Sequence, residues 1–144
     1  MKKLTTIFTV ATLLSMSSMS FAAEHTVKML NSNHEGIMVF EPGFLKIEKG
    51  DTVYFEATDA GHDAVSAVAP GGDWKVGFSG GKVTFNEEGV NIYYCTPHKT
   101  MGMYGVIQVG EATNKADAVE RGKAIDASFA MNQGRLVNYL NQIK

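Results

Sequence analysis

The chain has a single cysteine, Cys95, in 144 residues. A lone thiol cannot close an internal disulfide, so it is buried, reactive or bound to a metal. It also excludes haem attachment through Cys-x-x-Cys-His, which needs two thiols. An excess of charge is missing too: 15 acidic residues stand against 13 basic ones, for a formal net charge of −2. That balance gives no sign of nucleic-acid binding. Internal repeats and low-complexity tracts are absent. The longest apolar stretch falls short of the roughly 20 residues that a membrane-spanning helix requires.

That stretch lies at the start of the chain. Lys2 and Lys3 precede Leu4, Ile7, Phe8, Val10, Leu13 and Leu14, and the small residues Ser20, Ala22 and Ala23 follow. A basic start, a short apolar run and a small-x-small exit mark a secretory signal peptide over residues 1–22, cut after Ala22. No cysteine follows the cut to carry a lipid. The destination expected is the bacterial periplasm, with no membrane span in the mature chain. Removal of residues 1–22 leaves 11 basic and 15 acidic residues, net −4.

Strand and turn signals run from Glu24 to Gly110. Leu45 and Ile47 alternate with Lys46 and Glu48, and Val53 and Phe55 with Tyr54 and Glu56, the period of a half-buried strand. Val83 and Phe85 repeat the pattern. Lys49-Gly50-Asp51 and Glu88-Gly89 read as turns. Val90 to Cys95 and Met103 to Val109 read as the last strands. Seven or eight short strands parted by turns indicate an all-β sandwich. The glycine-rich segment from Pro70 to Gly81 reads as a mobile loop pinned by Trp74 and Phe78. Beyond Gly110 proline is absent and β-branched residues are few. Thr113 or Asn114 caps one expected helix and Asp126 another, and Phe129, Leu136, Val137, Leu140 and Ile143 form an apolar stripe. The domain expectation is residues 23–110 for the sandwich and 111–144 for a two-helix extension packed on it.

Chemistry concentrates in Cys95-Thr96-Pro97-His98-Lys99-Thr100-Met101-Gly102-Met103. A thiolate, an imidazole and a thioether within nine residues are ligands that suit copper, sulfur favouring Cu(I) and imidazole serving both oxidation states. Two histidines, one cysteine and a weak axial methionine make an electron-transfer site. His62 is the best second histidine, because Ala60-Gly61-His62-Asp63 follows an expected strand. Pro97 stiffens the ligand loop and Gly102 permits its tight return. Structural zinc draws four strong ligands from Cys and His, which a methionine cluster does not supply. A cysteine nucleophile paired with His98 is the enzymatic alternative. His25 and His34 read as solvent-facing.

These residues resemble those of the type-1 copper proteins, or cupredoxins, and within them the pseudoazurin family. The matching phrases are Met29-Leu30-Asn31, Met38-Val39-Phe40-Glu41-Pro42, Gly50-Asp51-Thr52-Val53, Gly61-His62, Cys95-Thr96-Pro97-His98 and Met101-Gly102-Met103. The resemblance spans about residues 27–110 and continues into the two-helix tail. It implies a Greek-key β-sandwich and one copper per chain, cycling between Cu(I) and Cu(II), on His62, Cys95, His98 and Met103. The amicyanin arrangement would place the axial ligand at Met101 instead. It further implies a monomeric electron carrier, not an enzyme, in which His98 is the electron port, ringed by Met38, Pro97 and Met101. Family partners are c-type cytochromes, copper nitrite reductase and nitrous-oxide reductase. A copper-trafficking protein is the competing reading.

The sequence departs from that family in two ways. Asp63 replaces the usual asparagine beside the first ligand histidine. A carboxylate near the thiolate is expected to favour Cu(II) and lower the reduction potential. Ala60 and Tyr94 occupy positions that commonly carry lysine, while Lys99 is an added basic residue. With Glu35, Glu41, Asp59 and Asp63 nearby, the rim is expected to be mixed or acidic, which favours a basic cytochrome c over an acidic reductase.

Overall fold

The computed structural model describes residues 21–144. All but the last two residues of the expected signal peptide lie outside the described residues; Phe21 and Ala22 are exposed. The strands are β1 (Glu24–Asn33), β2 (Gly36–Glu41), β3 (Phe44–Ile47), β4 (Thr52–Glu56), β5 (Ala64–Val68), β6 (Lys75–Val76), β7 (Gly81–Thr84), β8 (Gly89–Tyr94) and β9 (Tyr104–Val109). Helices α1 (Lys115–Asp126) and α2 (Arg135–Leu140) follow.

The strands make two sheets, ordered β2-β1-β4-β7 and β3-β9-β8-β5-β6. β1 runs antiparallel to β2 and parallel to β4, and β3 runs parallel to β9. Chain-distant strands are thus sheet neighbours, as the Greek-key sandwich requires. Val27, Met29, Phe40, Val53 and Phe55 from one sheet meet Ile47, Tyr93, Cys95, Ile107 and Val109 from the other in a single apolar cluster. Burial of these side chains is the main stabilising contribution.

A second apolar cluster lies on the far face of the larger sheet. There Val90, Ile92, Tyr104 and Val106 pack against Ala118, Phe129, Leu136, Tyr139, Leu140 and Ile143 of the C-terminal segment. β8 and β9 are therefore covered on both faces, so every residue of β9 is buried. The two helices approach closely: a Cβ on Gly122 would lie 2.4 Å from Leu140 Cδ1, so a larger residue there must push the Leu140 side chain aside.

Three details differ from expectation. β5, which follows His62, carries no alternating pattern; its Ala-Val-Ser-Ala-Val run is too small and uniform to show one. The segment from Pro70 to Gly81 contains strand β6, paired with β5. Trp74, packed among Phe55, Phe85 and Tyr93, and the buried Val76 pin it, whereas Phe78 is 57% exposed. Asn114 does stand at the start of α1, but its side chain bonds the Val90 N–H and C=O and so ties the helix to β8.

Candidate metal centre

Cys95 and Met103 face each other at the mouth of one hairpin. The Cys95 N–H donates to the Met103 carbonyl at 3.0 Å, directly beyond the paired ends of β8 and β9. Between them the chain makes a single 3-10 turn, Lys99–Met101, which ends at Gly102 with φ +73°. That left-handed residue reverses the chain, as glycine does most easily. His98 sits at the hub: its N–H reaches Cys95 O, and its carbonyl accepts from the N–H groups of Met101 and Met103. His62 arrives from the connection between β4 and β5, at the same end of the sandwich.

The three donor atoms converge. His62 Nδ1 is 3.1 Å from His98 Nδ1, and Cys95 Sγ lies 3.7 Å from His62 Nδ1 and 3.3 Å from His98 Nδ1. An ion at about 2.0–2.3 Å from each donor fits over a triangle of this size. No other group of His, Cys, Asp and Glu converges in this way among the described residues. His62, Cys95 and Met103 are fully buried, His98 and Met101 half-buried. Met103 and Cys95 belong to one buried cluster.

The surroundings prepare the donors. His62 Nε2 is 2.9 Å from Asn31 Oδ1. A proton on Nε2 satisfies that carbonyl oxygen and leaves the Nδ1 lone pair aimed at Cys95 and His98, the usual outer support of a metal-bound imidazole. Burial, and then the neighbouring His98, lower the His62 pKa, so the ring stays neutral and able to ligate. Burial pushes the Cys95 thiol up to about 11, against the opposing pull of the Asp63 and His98 N–H groups. A cation taken up here displaces that proton.

Asp63 is buried, not on the rim. Its Oδ1 accepts the Thr96 N–H at 2.6 Å and so joins the His62 connection to the ligand loop. The other acids of the expected rim are engaged: Glu35 accepts from the Tyr139 hydroxyl, Glu41 from Asn33 and Asp59 from the Asn31 N–H. Lys99 lies over the Tyr94 ring at 4.7 Å. His25 is not simply solvent-facing, since it pairs with Asp51 at 2.8 Å, while His34 is exposed. Of the residues expected to ring His98, Pro97 is exposed and Met38 and Met101 are half-buried. Two further apolar residues were not found from sequence. Ile37 (44% exposed) precedes Met38, and Met131 (41% exposed) lies in a segment whose neighbours bond the ligand loop. Asn31 also escaped attention as a support, because its partner lies far along the chain.

A thiolate, two imidazoles and a buried thioether at one end of a two-sheet sandwich define a type-1 copper protein. A family model described as copper binding proteins, plastocyanin/azurin family, matches residues 27–110, and the chain belongs to that family. Within it the chain groups with the pseudoazurins. It is 40% identical over 119 residues to a pseudoazurin of Paracoccus pantotrophus, covering 78% of this chain and 81% of that one. It is 37% identical over 128 residues to the pseudoazurin of Methylorubrum extorquens, covering 85% and 84%. The crystal structure of native pseudoazurin from Hyphomicrobium denitrificans superposes with a TM-score of 0.74 at 36% identity, over 84% of this chain and 98% of that chain. The protein is accordingly a copper-binding electron carrier of the cupredoxin type and not an enzyme.

Proposed function

We propose that one copper ion is held by His62, Cys95, His98 and Met103, and that the mature protein is a periplasmic monomer passing single electrons between redox proteins. The observation that carries this reading is the triangle of Nδ1, Nδ1 and Sγ, with all three donors within 4.8 Å of one another. When bound, copper supplies a one-electron Cu(I)/Cu(II) couple. The protein's part is to hold the donors still. Cys95 is fixed between two strands, His62 by Asn31, and the two ligand connections by Asp63. A buried donor set of this kind suits retention, which argues against a trafficking role.

Met103 is favoured as the axial ligand because it is fully buried beside Cys95, whereas Met101 is half-buried and its carbonyl is drawn toward Asn132. His98 is the electron port: its Nδ1 faces the other donors while the residue is half-exposed, and Pro97, Met38 and Met101 are the residues the family resemblance puts around it. A small apolar face supports brief encounters, which a shuttle needs. Loading with Cu(II) is expected to give an intense visible band and a type-1 paramagnetic-resonance signal, both abolished by mild reductant. Met103→Ala should alter both spectra and Met101→Ala neither; the reverse result would move the axial ligand to Met101.

Cleavage after Ala22 is supported by the fold itself. The Ala23 N–H donates to the buried Asp51 carboxylate at 2.8 Å, and its carbonyl accepts from Thr52. The new terminal ammonium would sit against that carboxylate. Residues 23–110 then form the copper domain and 111–144 the helical extension. The mature net charge of −4 and the missing lysines at Ala60 and Tyr94 favour a basic c-type cytochrome over an acidic nitrite or nitrous-oxide reductase as the docking partner. Association with a basic cytochrome should slow as salt rises. A steep salt-induced slowing with an acidic reductase instead would reverse the assignment.

A further inference from the structure

We infer that the C-terminal extension braces the metal loop, and that Arg135 is the positioning residue that joins this brace to the face around His98. The inference rests on the reading of Cys95, His98 and Met103 as the copper loop. Three successive carbonyls of that loop accept hydrogen bonds from the extension. Thr100 O takes the Ala130 N–H at 2.8 Å, Met101 O takes Asn132 Nδ2 at 2.8 Å, and Gly102 O takes Arg135 Nη1 at 3.3 Å. Gly102 immediately precedes Met103. The three carbonyls that precede the axial residue thus each accept a bond from the extension, and Gly102 O also accepts the Tyr104 N–H at 3.0 Å.

Arg135 reaches further. Its side chain is buried, 8% exposed, and no carboxylate lies within ion-pairing distance of it among the described residues. Its guanidinium is spent on carbonyls: Met38 O at 2.8 Å, Ile37 O at 3.1 Å and Glu35 O at 3.3 Å, besides Gly102 O. A fork of five donors can satisfy such a set, whereas the single ammonium of lysine cannot. The Met38 backbone has φ +52°, a left-handed conformation that disfavours any residue with a Cβ. It persists because the surroundings over-determine it, and the Arg135 bond to its carbonyl is the shortest that guanidinium makes. The nearby Glu35 carboxylate is turned to the Tyr139 hydroxyl at 2.8 Å. One side chain from α2 therefore fixes both a flank of the electron port and the residue before the axial methionine.

The test is made on copper-loaded protein. Arg135→Lys keeps the charge but loses the fork. Asn132→Gly removes one strut and tolerates the native φ of +60°. Arg121→Lys is the control, because the Arg121 side chain bonds Ala67 O of β5 and none of the loop carbonyls. Both brace variants should lower copper affinity about tenfold in chelator competition, as outer supports of a metal site do. Both should also change the intensity ratio of the visible bands and shift the reduction potential, while the control does neither. Wild-type affinity, spectrum and potential in both brace variants would overturn the brace. So would equal spectral changes in a variant of the same lowered melting temperature that leaves these bonds intact, such as Leu136→Ala. Absence of a type-1 signal in the unmutated protein would instead sink the copper-loop reading itself.

Discussion

Asp63 follows His62, the histidine proposed as a ligand, yet its carboxylate is 1% exposed and faces inward to the Thr96 N–H. Its charge adds to the burial that raises the Cys95 thiol. Negative charge there disfavours gaining an electron at the site and so favours Cu(II). Asp63→Asn retains an oxygen for Thr96 and removes only the charge; the reduction potential is expected to rise in voltammetry, and an unchanged potential would reject the role. The convergence of Cys95 and His98 was legible in their short spacing. The role of Asn31 was not, because Met29-Leu30-Asn31 marks only a family likeness and nothing local shows which side chain it supports. Its importance comes from His62, brought to 2.9 Å across 31 positions of chain.

At the scale of elements, α2 shows how a weak helix is made stable. It has six residues, fewer than an isolated helix needs, and its N-cap residue is Gly134, which has no capping side chain. Asp126, the last residue of α1, supplies the cap instead: its carboxylate accepts the N–H groups of Gly134, Leu136 and Val137. Three orphan donors at a positive helix end meet a negative charge. Asp126→Ala should cost about 2 kcal/mol in denaturant unfolding, with the copper donors left in place. Sequence marked Asp126 as a cap but could not show that it serves a helix beginning nine residues further on. The same limit hid β5 and β6. Strands of small residues, or of two residues, carry too little periodicity, and pairing with a neighbour defines them.

At the scale of the whole molecule, Asp51 ties the start of β1 to the turn before β4. Its carboxyl is held below the usual carboxylate range, first by the Ala23 N–H, then by His25, with the Glu48 N–H adding to both. A carboxyl whose pKa falls on folding stabilises the fold above its unfolded value of about 3.9, and the contribution is lost as pH drops through the folded value. Asp51→Asn is therefore expected to lower the melting temperature at neutral pH. The difference from wild type should hold steady down to about pH 5 and close below about pH 4. A difference persisting at pH 2 would show that hydrogen-bond geometry, not charge, is what Asp51 provides.

The amino-acid order by itself determined the sandwich and the ligand loop, because alternation of apolar residues and the spacing of Cys95, His98 and Met103 are local properties. It also placed the change from strands to helices at Gly110. Only the tertiary structure decided which donors meet and what holds them. The His62–Cys95 approach, the Asn31 support and the Arg135 bonds to Met38 and Gly102 join residues 31 to 97 positions apart. Contacts at such separations depend on how two sheets and two helices pack, and no single stretch of chain records that.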